Sequence, residues 1–412
     1  MSRGAAYPAD VDTLEPVDTL VIGAGPAGTA CAIRLAERGH AVTVVDRARF
    51  PRDKCCGDGL TSLALRSLEE LGLRPDDVAS WTPVSDVSVR TPGGRVLDLP
   101  LPDDGLYSAV ARRHGHDAAR VRRAHSVGAT VDEGTAVEVV EVDDDGATVR
   151  CSDGRALRTR HLVAADGTWS PTRKLLGIAE PGYRGEFHAL RQYLRVDGGA
   201  ATRRQWVWFE PDLLPGYAWS FPLPDGGINL GIAVHRGDRL DGSALKELMA
   251  GLAERPAIAA VIGSVVEAEP VRAWPIPARL PRSALAHGPV LFVGDAARAC
   301  DPLTGEGIAQ ALVTGMLAAE EILTGGRPAD IAGRYAAAAH DHLDADDRMA
   351  NWCAGILSSR RRAEVALRTA GATPWTRRHV ARWMFEDEPR GIAITPGRWH
   401  RRMFRRHGAY RN

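Results

Sequence analysis

Apolar and polar positions along the chain switch between a period of two and a period near 3.6, and each switch marks an element. The apolar run Leu20-Val21-Ile22 breaks at Gly23-Ala24-Gly25-Pro26-Ala27-Gly28, and Ala30, Ile33, Leu35 and Ala36 then recur at helical spacing. Ala41-Val42-Thr43-Val44-Val45-Asp46 returns to strand, so the pattern predicts a β-α-β unit. A helix is predicted near 61–71. Residues 84–99 alternate around Pro92-Gly93-Gly94 and read as a hairpin, and a second helix is predicted near 116–127. Three short strands follow over 135–165, the last entering Asp166-Gly167. Alternating strands are predicted over about 186–234, and Val290–Val293 runs into Gly294-Asp295. The turn from Pro302 to Ile308 opens a long helix ending near Gly325-Gly326. From Pro328 the period is helical and increasingly rich in arginine. Residues 1–16, polar and carrying Pro8 and Pro16, read as a loose tail.

The first unit carries chemistry as well as structure. Gly23 permits a tight turn, Gly25 lets the backbone approach a pyrophosphate, and Gly28 lets helix and strand pack closely. Phosphates favour a helix N-terminus, where unpaired N–H groups and the dipole meet negative charge. Asp46, an acid about 20 residues beyond the glycines, is placed to accept from an adenosine ribose. Both NAD and FAD fit this unit alone.

Composition narrows the class. At 412 residues the chain is too long for one simple core, so two or three lobes are expected. Hydrophobic content of 44% and charged content of 25% suit a soluble globular protein, and a formal net charge of zero gives no pull toward nucleic acid. The N-terminus has no secretory pattern, and no apolar run approaches the ~18–20 residues that span a bilayer. The six cysteines include no CxxC pair and no set at metal-ligand spacing. The expectation is therefore a reducing, cytoplasmic setting and no metal. Lysine occurs only at 54, 174 and 246.

Three glycine-acid turns each follow an apolar strand: Gly23–Gly28, Asp166-Gly167 and Gly294-Asp295. This arrangement resembles the para-hydroxybenzoate hydroxylase-like FAD fold, in which such turns surround one extended FAD. The resemblance implies that Asp295 holds the ribityl hydroxyls and that Arg113 lies near the pyrophosphate. It also implies that Pro302, Gly305 and Gly307 aim N–H groups at the flavin pyrimidine, where a reduced flavin is anionic. Two further segments point to a narrower family. Lys54-Cys55-Cys56-Gly57-Asp58-Gly59 resembles the K-x-C-G-x-G loop of the geranylgeranyl reductase family. Pro215-Gly216-Tyr217-Ala218-Trp219-Ser220-Phe221-Pro222, with Gly231 beyond, resembles its P-x-x-Y-x-W-x-F-P strand except that the proline sits two residues before Tyr217. Over roughly residues 17–325 the chain looks most like bacterial menaquinone-reductase-type members.

The resemblance implies an α/β fold: a Rossmann-like FAD-binding domain (17–80, 105–180, 275–326), an antiparallel-sheet substrate domain (81–104, 181–274) and a helical C-terminal lobe (327–412). It further implies reduction of isolated double bonds in an isoprenoid or polyprenyl, quinone-linked substrate by flavin hydride. The electrons would come from NAD(P)H, visiting transiently because no second G-x-G-x-x-G unit exists, or from a reduced ferredoxin-like donor. Cys56 takes the position of the flavin-proximal cysteine. Two readings stand for it: a thiol near neutral pKa that gives a proton, or a small buried hydrophobe. Tyr217, Trp219 and Phe221 share one strand face, as substrate wall or as core, and Trp206 and Trp208 are expected to extend that wall. Lys54 serves the cofactor loop or is a surface lysine, and Arg113 pairs with Asp117 in solvent if it does not reach the cofactor. A flavin monooxygenase or halogenase is the alternative activity. A tail containing Arg398, Trp399, Arg401, Arg402, Met403, Phe404, Arg405 and Arg406 reads either as a solvated segment or as a basic amphipathic helix. The latter would allow peripheral contact at the inner face of a membrane.

Overall fold

The structure, a computed structural model, describes residues 14–236, 242–387, 390–399 and 406–411. Residues 1–13 and 400–405, which include most of the two tails singled out above, lie outside the described residues.

The first β-α-β unit forms as the pattern predicts. Strand β1 (Glu15–Ile22), helix α1 (Pro26–Glu37) and strand β2 (Val42–Asp46) follow in order, with β1 starting five residues before its apolar run. Pro26 opens α1 at the position where a missing N–H costs nothing, and Gly25 is its N-cap. Helix α2 (Arg113–Ser126) and strand β3 (Ala156–Ala164) complete this layer. The parallel core runs Val290–Phe292, β3, β1, β2, Thr130–Glu133. Val21 sits opposite both Val44 and Val163, which explains why these strands read as continuous apolar runs.

A second, eight-stranded sheet contains β4 (Phe187–Asp197), β5 (Gln205–Trp208), β6 (Tyr217–Pro222) and β7 (Gly227–His235), all antiparallel to their labelled neighbours. The hairpin of Asp86–Arg90 and Val96–Pro100 joins it by parallel pairing with β5. Successive residues of a strand face opposite sides. Trp206 and Trp208 face a core closed by the helices Gly242–Ala250 and Pro256–Ile262, whereas Val207 and Phe209 face the other way.

Four helices close the molecule: α3 (Ile308–Thr324), α4 (Pro328–Leu357), α5 (Arg360–Ala370) and α6 (Pro374–Met384). α3 lies so close to α1 that a Cβ on Gly315 would stand 2.2 Å from the Ala27 carbonyl oxygen. Leu357, Ala363 and Ala381 from α4, α5 and α6 pack with Val87, Val89, Leu99, Val207 and Phe209 on the face of the second sheet opposite the Trp206 and Trp208 core. No helix among the described residues is long and apolar enough to cross a membrane.

Candidate active site

A cavity of about 1320 Å³ lies where the two sheets and the helical lobe meet. That exceeds the ~300–1,000 Å³ typical of a pocket for one small ligand. One end is made of glycine turns and charged side chains, and the other of aromatic and aliphatic groups.

Geometry at the glycine end separates three roles. Gly23 has φ +106°, and a Cβ there would lie 2.5 Å from the Ala165 carbonyl oxygen, so the turn itself requires glycine. A Cβ on Gly28 would stand 1.8 Å from the Gly23 carbonyl oxygen, so Gly28 serves packing and does not line the cavity. Gly25 is different: a Cβ would meet nothing nearer than Arg52 Nη2 at 4.0 Å, and the residue faces the cavity. Asp46 lines the same end, with Oδ2 accepting from Ala24 N at 2.7 Å and Oδ1 from Ala48 N at 2.8 Å.

Beside Gly25 lies a buried charge cluster. Asp117 accepts from Arg113 Nε at 2.7 Å and Arg113 Nη2 at 2.8 Å, from Arg120, and lies 3.2 Å from Arg52 Nη1. Arg113 is thus paired with Asp117 but is not solvated: both are buried, and Arg52 and Arg113 line the cavity. Burial opposes the charge on Asp117, yet Arg113 and Arg120 hold its carboxyl well below the usual range. Three guanidiniums face one carboxylate, and Arg120 Nη1 is buried without a partner among the described residues. Burial lowers Arg120 to about 10 against the pull of Asp117, with Arg113 and Arg52 adding repulsion. A positively charged wall beside a helix N-terminus and an open glycine fits a diphosphate in charge and in space.

The other two turns converge on the same cavity. Asp166 is pushed up by burial, accepts from Thr172 N at 2.7 Å through Oδ2, and leaves Oδ1 buried without a hydrogen-bond partner among the described residues. Asp295 accepts from Thr168 Oγ1 at 3.0 Å and lies 3.3 Å from Lys54 Nζ. Burial opposes its charge, but Lys54 and Thr168 hold it below the usual carboxylate range. Gly294 (φ +59°) and Gly305 (φ +67°) adopt left-handed backbone in this wall, and Gly307 lines it as the N-cap of α3. Pro302 does not line this cavity; it borders a smaller one of about 360 Å³ on the far side of its turn. The residues present therefore fit FAD: an acid for the ribose, cations and a glycine for the diphosphate, and a carboxylate for the ribityl chain.

At the other end the Cys56 loop lies on the aromatic face of β6. Tyr217, Trp219 and Phe221 all line the cavity, their rings 6.1 and 6.2 Å apart in sequence. Gly231 lies opposite Trp219 in β7, where a Cβ would stand 2.2 Å from the indole, so this glycine makes room for the ring. Gly59 gives the loop similar clearance, its absent Cβ 3.0 Å from the Phe221 ring. Trp206 and Trp208 do not extend the wall; they stack on each other in the opposite core, and Gln205, Val207 and Phe209 line the cavity instead.

Cys56 departs from its sequence expectation. Burial pushes its thiol up to about 11, against the opposing Arg113, so it is a protonated thiol at neutral pH rather than one near its midpoint. Asp58 N donates to Cys56 Sγ at 3.3 Å. Cys55 is pushed up to about 12, again by burial.

Three groups of residues at or behind the cavity wall carried no signal in the sequence. Arg52 comes from the loop after β2. Asp58, Tyr193 and Asn229 form a polar cluster behind Cys56. From the helical lobe, Trp352, Ile356, Leu367, Val380, Trp383 and Met384 supply an apolar wall. The helical period made these apolar positions visible, but no motif marked them as lining.

The comparisons with known proteins agree with this geometry. The description "FAD binding domain" matches residues 16–342. A menaquinone reductase of Mycolicibacterium smegmatis is 36% identical over 332 residues, covering 75% of this chain and 77% of that protein. Digeranylgeranylglycerophospholipid reductase 1 of Methanopyrus kandleri is 32% identical over 316 residues, covering 74% and 79%. Among solved structures, a geranylgeranyl bacteriochlorophyll reductase-like protein of Thermoplasma acidophilum shares the fold with a TM-score of 0.74 at 21% identity, covering 93% of this chain and 99% of that one. The chain belongs to the geranylgeranyl reductase family of FAD-dependent oxidoreductases.

Proposed function

We propose that this protein reduces isolated double bonds of an isoprenoid or polyprenyl, quinone-linked substrate, taking electrons from NAD(P)H or a reduced ferredoxin-like donor. One observation carries the reading: a single cavity joins a charged, glycine-lined end to a wall of aromatic and aliphatic side chains. The reductase relatives support it, and the monooxygenase and halogenase alternatives fit them less well.

When bound, FAD supplies the hydride. Gly25, Arg52 and Arg113 would hold its diphosphate, Asp46 its ribose, and Asp166, Asp295, Lys54, Gly294, Gly305 and Gly307 its remaining polar edge. An isolated alkene is neither acidic nor polarised, so the chain must exclude water and fix the double bond in place. Tyr217, Trp219 and Phe221 form one wall, and Leu367, Trp383 and Met384 extend it. The second alkene carbon needs a proton, and the Cys56 thiol holds one at Sγ. The thiolate left behind faces the Asp58 N–H and Arg113, which stabilise it until solvent returns the proton.

Cys56→Ser should keep its flavin but lose at least about tenfold in turnover with dithionite as reductant, a floor set below the ~100-fold or more that a positioned general acid typically contributes. Cys55→Ser should lose much less. Equal turnover in the two variants would leave Cys56 as packing alone.

A further inference from the structure

Behind the Cys56 loop sits a carboxylate that the proposed reaction does not use. Asp58 is buried, yet it holds a left-handed backbone with φ +64°, which few residues other than glycine adopt without cost. Its Oδ2 accepts from the Tyr193 hydroxyl and from Asn229 Nδ2, the latter at 2.9 Å, and its Oδ1 from Arg113 N at 3.2 Å. Asn229 is the junction. Its Nδ2 also donates to the Cys56 carbonyl at 2.9 Å, and its Oδ1 accepts from Trp219 Nε1 at 3.2 Å. One amide therefore ties the reactive loop to the aromatic wall, and one carboxylate fixes that amide.

We infer that Asp58 is a positioning residue, which acts through Asn229 and Tyr193 to hold the Cys56 thiol and the Trp219 indole in one register across the cavity. The inference rests on the proposed role of Cys56, but its first test needs no substrate. A left-handed backbone and a buried charge at one residue are costs that packing alone does not explain, because Gly59 next to it packs on the Phe221 ring without either.

The groups facing Asp58 are Tyr193 and Arg191 from β4, Asn229 from β7, Arg113 from α2, and Cys55 and Cys56 from its own loop; Glu306 faces Cys56. Burial raises Asp58 to about 6, against hydrogen bonds from Tyr193 and Asn229 and the charge of Arg191. Below that pH the carboxyl takes up a proton and loses an acceptor site that these donors use. Turnover should therefore fall on the acid side near pH 6.

The test uses full-length, FAD-loaded protein carrying Asp58→Asn, since asparagine tolerates the left-handed backbone. Iodoacetamide labelling at Cys56, read by peptide mass against a Cys56→Ser control, should be at least tenfold faster. Flavin content should be unchanged, kcat should fall at least tenfold with less than a threefold change in KM, and the acid limb near pH 6 should vanish. If Asp58→Asn does not fold, Tyr193→Phe removes one hydroxyl and must speed labelling in the same direction. Wild-type labelling and an unchanged pH profile in a folded variant would overturn the inference. Faster labelling in the variant, beside a wild-type protein that turns over no isoprenoid, would leave it standing and refute the reductase reading instead.

Discussion

Gly25→Val is expected to yield a folded, soluble protein that binds no FAD. The expectation comes from the contrast among the three glycines of the first turn. At Gly23 and Gly28 an added Cβ would lie 2.5 and 1.8 Å from a backbone oxygen, so substitutions there break the turn itself. At Gly25 the nearest atom is 4.0 Å away and φ is −72°, so the chain tolerates a side chain and only an occupant of the cavity would meet it. Valine would push its methyl groups into the space beside Arg52 and over the first N–H groups of α1. Circular dichroism and a flavin absorbance spectrum of the purified variant check both halves. A yellow, fully loaded Gly25→Val protein would remove the diphosphate from this turn.

The second large effect concerns stability. Among the described residues Asp117 is the only carboxylate paired with Arg52, Arg113 and Arg120, and Arg113, Asp117 and Arg120 are buried. Removing one partner of a buried ion pair leaves uncompensated charge and typically costs ~3–5 kcal/mol. Against a total stability of ~5–15 kcal/mol, Asp117→Ala should lose a large share of its unfolding free energy in guanidinium chloride. The sign with pH follows from the lowered carboxyl. Its folded value lies below its unfolded one, so its contribution is present above the ordinary carboxylate range and is lost as the pH falls through and below it. The gap between wild type and Asp117→Ala should accordingly narrow in acid. A variant within about 1 kcal/mol of wild type at pH 7 would show that the cluster is not held by Asp117.

How much of this was legible in the sequence depends on how local each feature is. The β-α-β unit and the turns at Asp166-Gly167 and Gly294-Asp295 were readable because a strand, a glycine and an acid within a few residues dictate the backbone. The charge cluster was readable only as far as Arg113 and Asp117, four apart on one helix; Arg52 and Arg120 reach the same carboxylate from a loop and the next turn of α2. Alternation in β5 shows that Trp206 and Trp208 share a face, but not which face. That is decided by the helices Gly242–Ala250 and Pro256–Ile262, which cover the tryptophan side and leave Val207 and Phe209 to the cavity. The protonated state of Cys56 is likewise a consequence of burial, which no residue in its own loop announces. The contribution of α4, α5 and α6 to the apolar wall was invisible for the same reason: their apolar positions satisfy a helical period whether they meet a core or a ligand.

On the proposed reading, this cavity delivers two hydrogens to an alkene. Dithionite-reduced, FAD-loaded protein should be mixed without oxygen with menaquinone or a geranylgeranyl compound, and the product examined by mass spectrometry. The yellow colour should return only with substrate present, and the product should be heavier by two hydrogens. A product formed only in air and heavier by one oxygen would contradict that reading.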